Sequence, residues 1–218
     1  MTNLGERSSA ASRSLARTWI SEQMTQLGLD VSLHEYGTGA NVVGELPGRS
    51  GSFLIVSAHY DTVEGTPGAN DDATGVAALL EIAGVLGGCP LEHGIRFVAF
   101  DEEETGLVGS FAYASRLVAE NELDSVVGVL QIDTIGSDSN GDGVFGVSEC
   151  DLATNETLVE AIVAASTDLA PRLQPLEGCL EVFGSDHVPF EQQGLPAVLI
   201  SEPAFISQPE FFDLTQCY

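Results

Sequence analysis

Apolar residues recur along this chain with two different periods, and the alternation between them predicts the elements. Over residues 8–27, Leu15, Trp19, Ile20, Met24 and Leu27 fall at the spacing of one helical face, and Gly28 stops the run. Residues 31–36 and 41–46 read as two strands, separated by Gly37-Thr38-Gly39 and closed by Pro47-Gly48. Residues 53–58 form a nearly continuous apolar run, the signature of a strand buried on both faces. A loop bearing glycine and proline follows over 64–70, then a helix over 74–86 and a second buried strand over 95–100. The pattern continues with a helix over 108–120, a third buried strand over 126–132 and a helix over 156–165. A short helix over 186–193 precedes a last strand over 197–200. Strands alternating with helices predict an α/β fold, a three-layer α/β/α arrangement around a mostly parallel central mixed sheet. With no internal repeat or low-complexity linker, residues 1–218 are expected to form a single domain.

Composition narrows the classes. The chain has 218 residues, 44% of them hydrophobic, which suffices for a substantial core and excludes a disordered polymer. No apolar stretch reaches the length of a membrane span. Residues 1–10 are polar, carry Glu6 and Arg7, and lack the apolar core of a signal peptide. The compartment stays open between the cytoplasm and a secreted protein whose leader is absent. Acidic residues number 33 against 7 basic ones, all arginine, for a net charge of -26. Such a field repels nucleic-acid phosphates and anionic lipids, so neither is expected as a partner. An acidic surface of this kind suits work in high salt, where screening relieves self-repulsion. The four cysteines (Cys89, Cys150, Cys179, Cys217) contain no C-x-x-C pair, which excludes a zinc knuckle and a thioredoxin-like site. Buried free thiols and disulfides both remain compatible with their spacing, and the oligomeric state is not encoded in any pattern here.

The chemistry-bearing residues fall at the carboxyl ends of the buried strands, where open α/β sheets bind ligands. His59 and Asp61 follow the first, the acidic run 101–104 follows the second, and Asp133 closes the third. Each alone has an ordinary reading as a cap, a solvated charge or a structural histidine. Together they differ, because converging carboxylates stay ionised in a cleft only when a cation compensates them. Histidine with carboxylates and no thiolate suits catalytic zinc, with cobalt or manganese as substitutes. In extended backbone, residues two apart point the same way, so Asp61 can accept from the far ring nitrogen of a metal-bound His59. The stretch Gly68-Ala69-Asn70-Asp71-Asp72-Ala73-Thr74-Gly75 sets two carboxylates where a helix begins, which suggests a positioned metal bridge.

The ordered set H-x-D, G-A-N-D-D-x-x-G, E-E-x-G-L-x-G-S, a strand ending in Asp, and S-D-H resembles the family twenty-eight metallopeptidases. These include bacterial leucyl-type zinc aminopeptidases and, as relatives, the glutaminyl cyclases. The resemblance runs over about residues 16–202. It implies a zinc-peptidase fold and two zinc ions, with His59, Asp71 and Asp133 on the first and Asp71 bridging to the second through a peptide bond to Asp72 that is often cis. Aligning Thr105-Gly106-Leu107-Val108-Gly109-Ser110 makes Glu103 the general base and Glu104 a ligand of the second zinc, leaving Glu102 as a solvated charge. Asp61 would orient His59, while Asp72, Ser185, Asp186 and His187 would support the site. The implied reaction is release of N-terminal residues from peptides with a free N-terminus. A glutaminyl cyclase, or a homologue that binds peptides without cleaving them, are the alternatives.

One departure stands out. The family takes its last zinc ligand from a histidine in a Y-H-T-x-x-D stretch after the strand matching 197–200, and no histidine follows His187 here. The second zinc site is therefore expected to be incomplete and the C-terminal end truncated or altered, unless His187, Glu210 or Asp213 stands in.

Overall fold

The computed structural model describes residues 4–138, 141–148, 155–178 and 184–202. Eight strands form one sheet: β1 (Asp30–Tyr36), β2 (Gly39–Leu46), β3 (Phe53–His59), β4 (Gly94–Phe100), β5 (Val126–Ile132), β6 (Val144–Ser148), β7 (Gln174–Gly178) and β8 (Ala197–Ser201). They lie in the order β1-β2-β4-β3-β5-β8-β6-β7. The central run β4-β3-β5-β8 is parallel throughout, while β1, β2 and β6 make the antiparallel pairings. Among the described residues, five helices flank the sheet: α1 (Ala10–Gln26), α2 (Ala73–Leu86), α3 (Val108–Ala119), α4 (Glu156–Leu169) and α5 (Val188–Glu191).

Strand alternation assigns the layers. Val42, Val56, Phe97 and Ala99 pack with Ile20 and Met24 of α1 and Val76 and Leu79 of α2. Their neighbours Val43, Ile55, Val98 and Phe100 face the other way, against Tyr113 and Leu117 of α3 and Phe190 of α5. Side chains two apart in a strand share a face, so one run of apolar residues supplies both cores. The three-layer α/β/α fold with a mostly parallel mixed sheet follows.

The strands expected over 31–36, 41–46, 53–58, 95–100, 126–132 and 197–200 are present with ends shifted by at most two residues. Two strands carried no readable signal. Strand β7 is a largely exposed edge with Pro175 in it, and β6 is five residues long with a central glycine, so neither shows apolar alternation. Helix α4 runs past 165 to Leu169, and α5 is shorter than the expected 186–193.

The buried face of α1 also differs from the one that periodicity suggested. Ser9 caps the helix in a capping box with Ser12, and the residues turned inward are Arg13, Ala16, Ile20 and Met24. Leu15 is 65% exposed, and Leu27 lies past the helix end. Ala16 is buried in the core beside the sheet, and Arg13 turns inward to Asp101 and Glu102. Cys89 is free and exposed rather than a buried thiol, and the other three cysteines lie outside the described residues. Among the described residues, no helix is long and apolar enough to cross a membrane.

Ile20→Ala is expected to cost about 2–5 kcal/mol in urea unfolding and Leu15→Ala under ~0.5 kcal/mol. Equal losses would put the buried face of α1 elsewhere.

Candidate metal centre

Four adjacent parallel strands end at one edge of the sheet, and each delivers a polar residue there: His59 from β3, Asp101 after β4, Asp133 after β5 and Glu202 after β8. The strand ends are stitched together, with Tyr60 N donating to Phe100 O (2.9 Å) and Asp133 N to Ile200 O (3.0 Å). The chain then folds three loops over this edge.

His59 is 1% exposed and stands at the centre. Its Nε2 faces two carboxylates, Oδ1 of Asp71 at 2.9 Å and Oδ1 of Asp133 at 3.6 Å. Its Nδ1 lies 3.4 Å from Oδ1 of Asp61. Asp61 does more than sit beside the ring, because its two oxygens accept from the backbone N–H groups of Glu103 (3.0 Å) and Glu104 (3.1 Å). One buried carboxylate therefore lies against the imidazole and ties down the Glu103-Glu104 loop. Ser185 Oγ donates to Oδ2 of Asp133 at 2.8 Å.

Donor-type atoms of His59, Asp72 and Asp133 lie within 4.8 Å of one another, and so do those of His59, Glu103 and Glu104. Asp72, however, is already committed. As the N-cap of α2 it accepts from Gly75 N (2.8 Å), and it also accepts from Thr134 N (3.2 Å) and His59 N (3.2 Å). Its carboxylate ties three site segments together, whereas Asp71 keeps a side chain 21% exposed and open to the cleft. The Asp71–Asp72 peptide bond is cis.

The motif glycines have structural reasons. A Cβ on Gly75 would strike the Asp72 carboxylate and Ile132 O, and one on Gly109 would strike Asp101 O and Asn41 Oδ1. Around the acidic loop the backbone is forced: Glu102 (φ 60), Leu107 (φ 59) and Thr134 (φ 52) are non-glycine residues in the left-handed region. Such positions cost about 1–3 kcal/mol each and persist only when surroundings over-determine them.

Electrostatics fit a cation. Burial, then Asp186 and Asp133, push Glu103 up to about 10, against the pull of His59. Burial and Asp71 raise Glu104 to about 7, and burial raises Asp186 to about 7. Burial opposes the charge on His59, but Asp133 and Glu103 outweigh it and hold its pKa well above the ordinary value. The same His59 keeps Asp133 low despite burial. Neither oxygen of Asp186 has a hydrogen-bond partner among the described residues. A divalent cation among these groups would relieve the repulsion they otherwise meet by taking up protons, and the hard oxygen and imidazole donors match zinc.

Two expectations need correction or completion. Glu102 is not a solvated charge: it is 8% exposed, Arg13 Nη2 donates to its Oε1 at 2.8 Å and Thr38 Oγ1 to its Oε2 at 2.5 Å. His187 is 2% exposed and burial lowers it to about 4, but it joins neither group of mutually close donors among the described residues. Glu210 and Asp213 lie outside the described residues. Sequence reading missed Glu202, which accepts from Asn70 Nδ2 and Ser137 N and so pins the loop before Asp71. Its place directly after a parallel strand was the available signal.

The fold and this cluster define a metallopeptidase-type α/β domain. Residues 41–218 match the profile of Peptidase family M28, and the chain belongs to that family. It is 35% identical to aminopeptidase YwaD of Bacillus subtilis over 143 residues, 66% of this chain and 30% of that protein. The solved structure of BSAP, a zinc aminopeptidase from Bacillus subtilis, superposes with a TM-score of 0.66 at 31% identity, over 79% of this chain and 41% of that one. A glutaminyl cyclase from Macrostomum lignano superposes with a TM-score of 0.80 at 24% identity, over 99% of this chain and 78% of that one, a likeness of fold alone. The chain spans about a third of the length of the curated relatives it matches.

Breaking the buried Arg13–Glu102 pair by Glu102→Ala is expected to cost about 3–5 kcal/mol in chemical denaturation. A change under ~0.5 kcal/mol would return Glu102 to the solvated surface.

Proposed function

We propose that this chain is the catalytic part of a zinc-dependent aminopeptidase that hydrolyses N-terminal residues from peptides. The observation that carries the reading is the meeting of His59, Asp71, Glu103, Glu104 and Asp133 at the carboxyl edge of four parallel strands. The relative at 31% identity described as a zinc aminopeptidase supports zinc as the metal. Cobalt and manganese suit the same donors.

His59, Asp71 and Asp133 would hold the first ion, and Asp71 with Glu104 would reach the second. We take Asp71 rather than Asp72 as the bridging ligand, because the oxygens of Asp72 are occupied by three backbone donors. When bound, zinc supplies Lewis acidity at the scissile carbonyl and a water of lowered pKa. Glu103 serves as general base: it accepts the proton of the attacking water and returns it to the leaving amine. Asp61 holds the Glu103 and Glu104 amides and so sets where the base stands relative to His59. Ser185 fixes the rotamer of Asp133, and Asp186 adds negative charge beside Glu103. The same surplus of carboxylates attracts the α-ammonium of a peptide, which confines cleavage to the first residue. An acidic pair at Asp71-Asp72 favours this reaction over glutaminyl cyclisation.

Glu103→Gln is expected to lower leucine-anilide hydrolysis by about 10²–10⁴-fold while zinc content stays at the wild-type level. Retained turnover would remove Glu103 from the reaction, and cyclisation of a glutaminyl peptide without anilide hydrolysis would favour the cyclase. Zinc per chain decides the second position. Two tightly held ions mean that a donor other than a C-terminal histidine completes it, and one ion leaves it incomplete. Chelation followed by zinc addition should abolish and then restore hydrolysis.

A further inference from the structure

The most deeply buried cation of the described chain takes no part in the reaction proposed above. Arg7 is 0% exposed, and among the described residues it forms no ion pair within bonding distance. An arginine buried this way is costly unless every donor is used. Here the donors go to backbone carbonyls: Nε to Tyr60 O (2.6 Å), Nη1 to Pro67 O (2.8 Å) and Gly5 O (2.9 Å), and Nη2 to Gly68 O (2.9 Å). The backbone N of Arg7 donates in turn to Thr62 Oγ1 at 2.9 Å. Three of these carbonyls, those of Tyr60, Pro67 and Gly68, lie at the two ends of one loop. Tyr60 is next to His59 and precedes Asp61, and Gly68 lies three residues before Asp71. Gly68 has a left-handed φ of 54 and leaves no room for a Cβ between Thr62 and the guanidinium. Burial lowers the pKa of Arg7, against the opposing pull of Asp61, Asp72, Asp71 and Glu104.

We propose that Arg7 is a positioning residue of the metal centre, a clamp that fixes the distance between His59 and Asp71 by closing the 60–68 loop from behind. Arg7 lies upstream of residues 41–218, the stretch that carries the family pattern. Arg13 repeats the device one loop away, where Nε meets Asp101 Oδ1 and Nη2 meets Glu102 Oε1, each at 2.8 Å, just before Glu103 and Glu104. The clamp depends on shape as well as charge. A guanidinium presents donors in a fixed planar fork that here reaches four carbonyls, three of them on the loop, whereas an ammonium offers one nitrogen. The inference rests on the zinc reading for its consequence and on loop order for its direct expression.

Arg7→Lys keeps the charge and loses the fork. In the full chain it is expected to weaken zinc binding by about 10–100-fold in chelator competition, the range for groups that orient metal ligands. It should also alter the visible spectrum of the cobalt-substituted protein and speed hydrogen exchange of amides in the 62–68 loop. Met24→Ala, a core change on α1 away from both loops, serves as the stability control and should leave all three at wild-type values. Wild-type zinc affinity and cobalt spectrum in a folded Arg7→Lys protein overturn the proposal, as does equal zinc loss in Met24→Ala at a matched melting temperature. If Arg7→Lys does not fold, Gly68→Ala decides: its Cβ would strike Arg7 Nη2 and so part the fork from the Gly68 end of the loop, and unchanged zinc affinity and loop exchange reject the clamp. Should the wild-type chain take up no zinc, the functional reading fails, while loop exchange in the variants still tests the clamp.

Discussion

Like charges held at one point constrain everything around them. Two carboxylates 4 Å apart at an effective dielectric of about 20 repel by about 4 kcal/mol, and Asp61, Asp71, Asp72, Asp133, Glu103, Glu104 and Asp186 all act on one buried imidazole or on one another. The protein meets this in two ways. Some carboxylates are neutralised structurally, as Asp61 and Asp72 are by backbone N–H groups, and these become the ties that join segments. The others, Asp71, Asp133, Glu103 and Glu104, keep oxygens directed at His59 or the cleft. Division of one acidic cluster into tied and available members leaves it with donors that could hold a metal ion.

The same division explains the irregular backbone. A carboxylate that accepts two or three N–H groups needs those groups turned inward, which regular helix or strand cannot supply. Left-handed φ values at Glu102 and Thr134 and the close packing at Gly75 accompany the amides of Glu103, Glu104, Thr134 and Gly75 that reach these oxygens. Local cost in the loops is offset by a sheet whose parallel core is sealed on both faces. Arg7 and Arg13 belong to this scheme. In a chain of net charge -26, two of the seven cations are spent behind the acidic loops rather than on the surface.

Membership in Peptidase family M28 gives this geometry a chemical context, and the acidic charge gives it a physical one. Glu45, Glu120 and Glu122 find Arg96 and Arg116 in a half-buried network at the surface, which salt screens in part, while the Arg13 pairs are more sheltered from it. The surface field and the site field are thus separable: the first is open to ions in solution, and the second is set by burial.

Amino-acid order alone determined the parallel core and its chemistry. Buried strands announce themselves as apolar runs, and residues directly after them must fall at one sheet edge, so His59, Asp61, Asp133 and the acidic run after β4 are legible in the sequence, and Asp71 is legible as one of two carboxylates where a helix begins. Strands β6 and β7 were not, because a short strand and a proline-bearing edge bury too little to leave a period. Side-chain partnership was equally hidden. Nothing in E-E-E tells that Glu102 turns back to Arg13 while its neighbours face His59, and the inward turn of Arg13 on α1 broke the helical pattern for the same reason. Arg7 read as a polar residue of a polar terminus. Its burial depends on carbonyls of Tyr60, Pro67 and Gly68, more than fifty positions away. Hydrophobic burial is written locally, residue by residue, whereas the pairing of buried charges is decided only when distant loops meet.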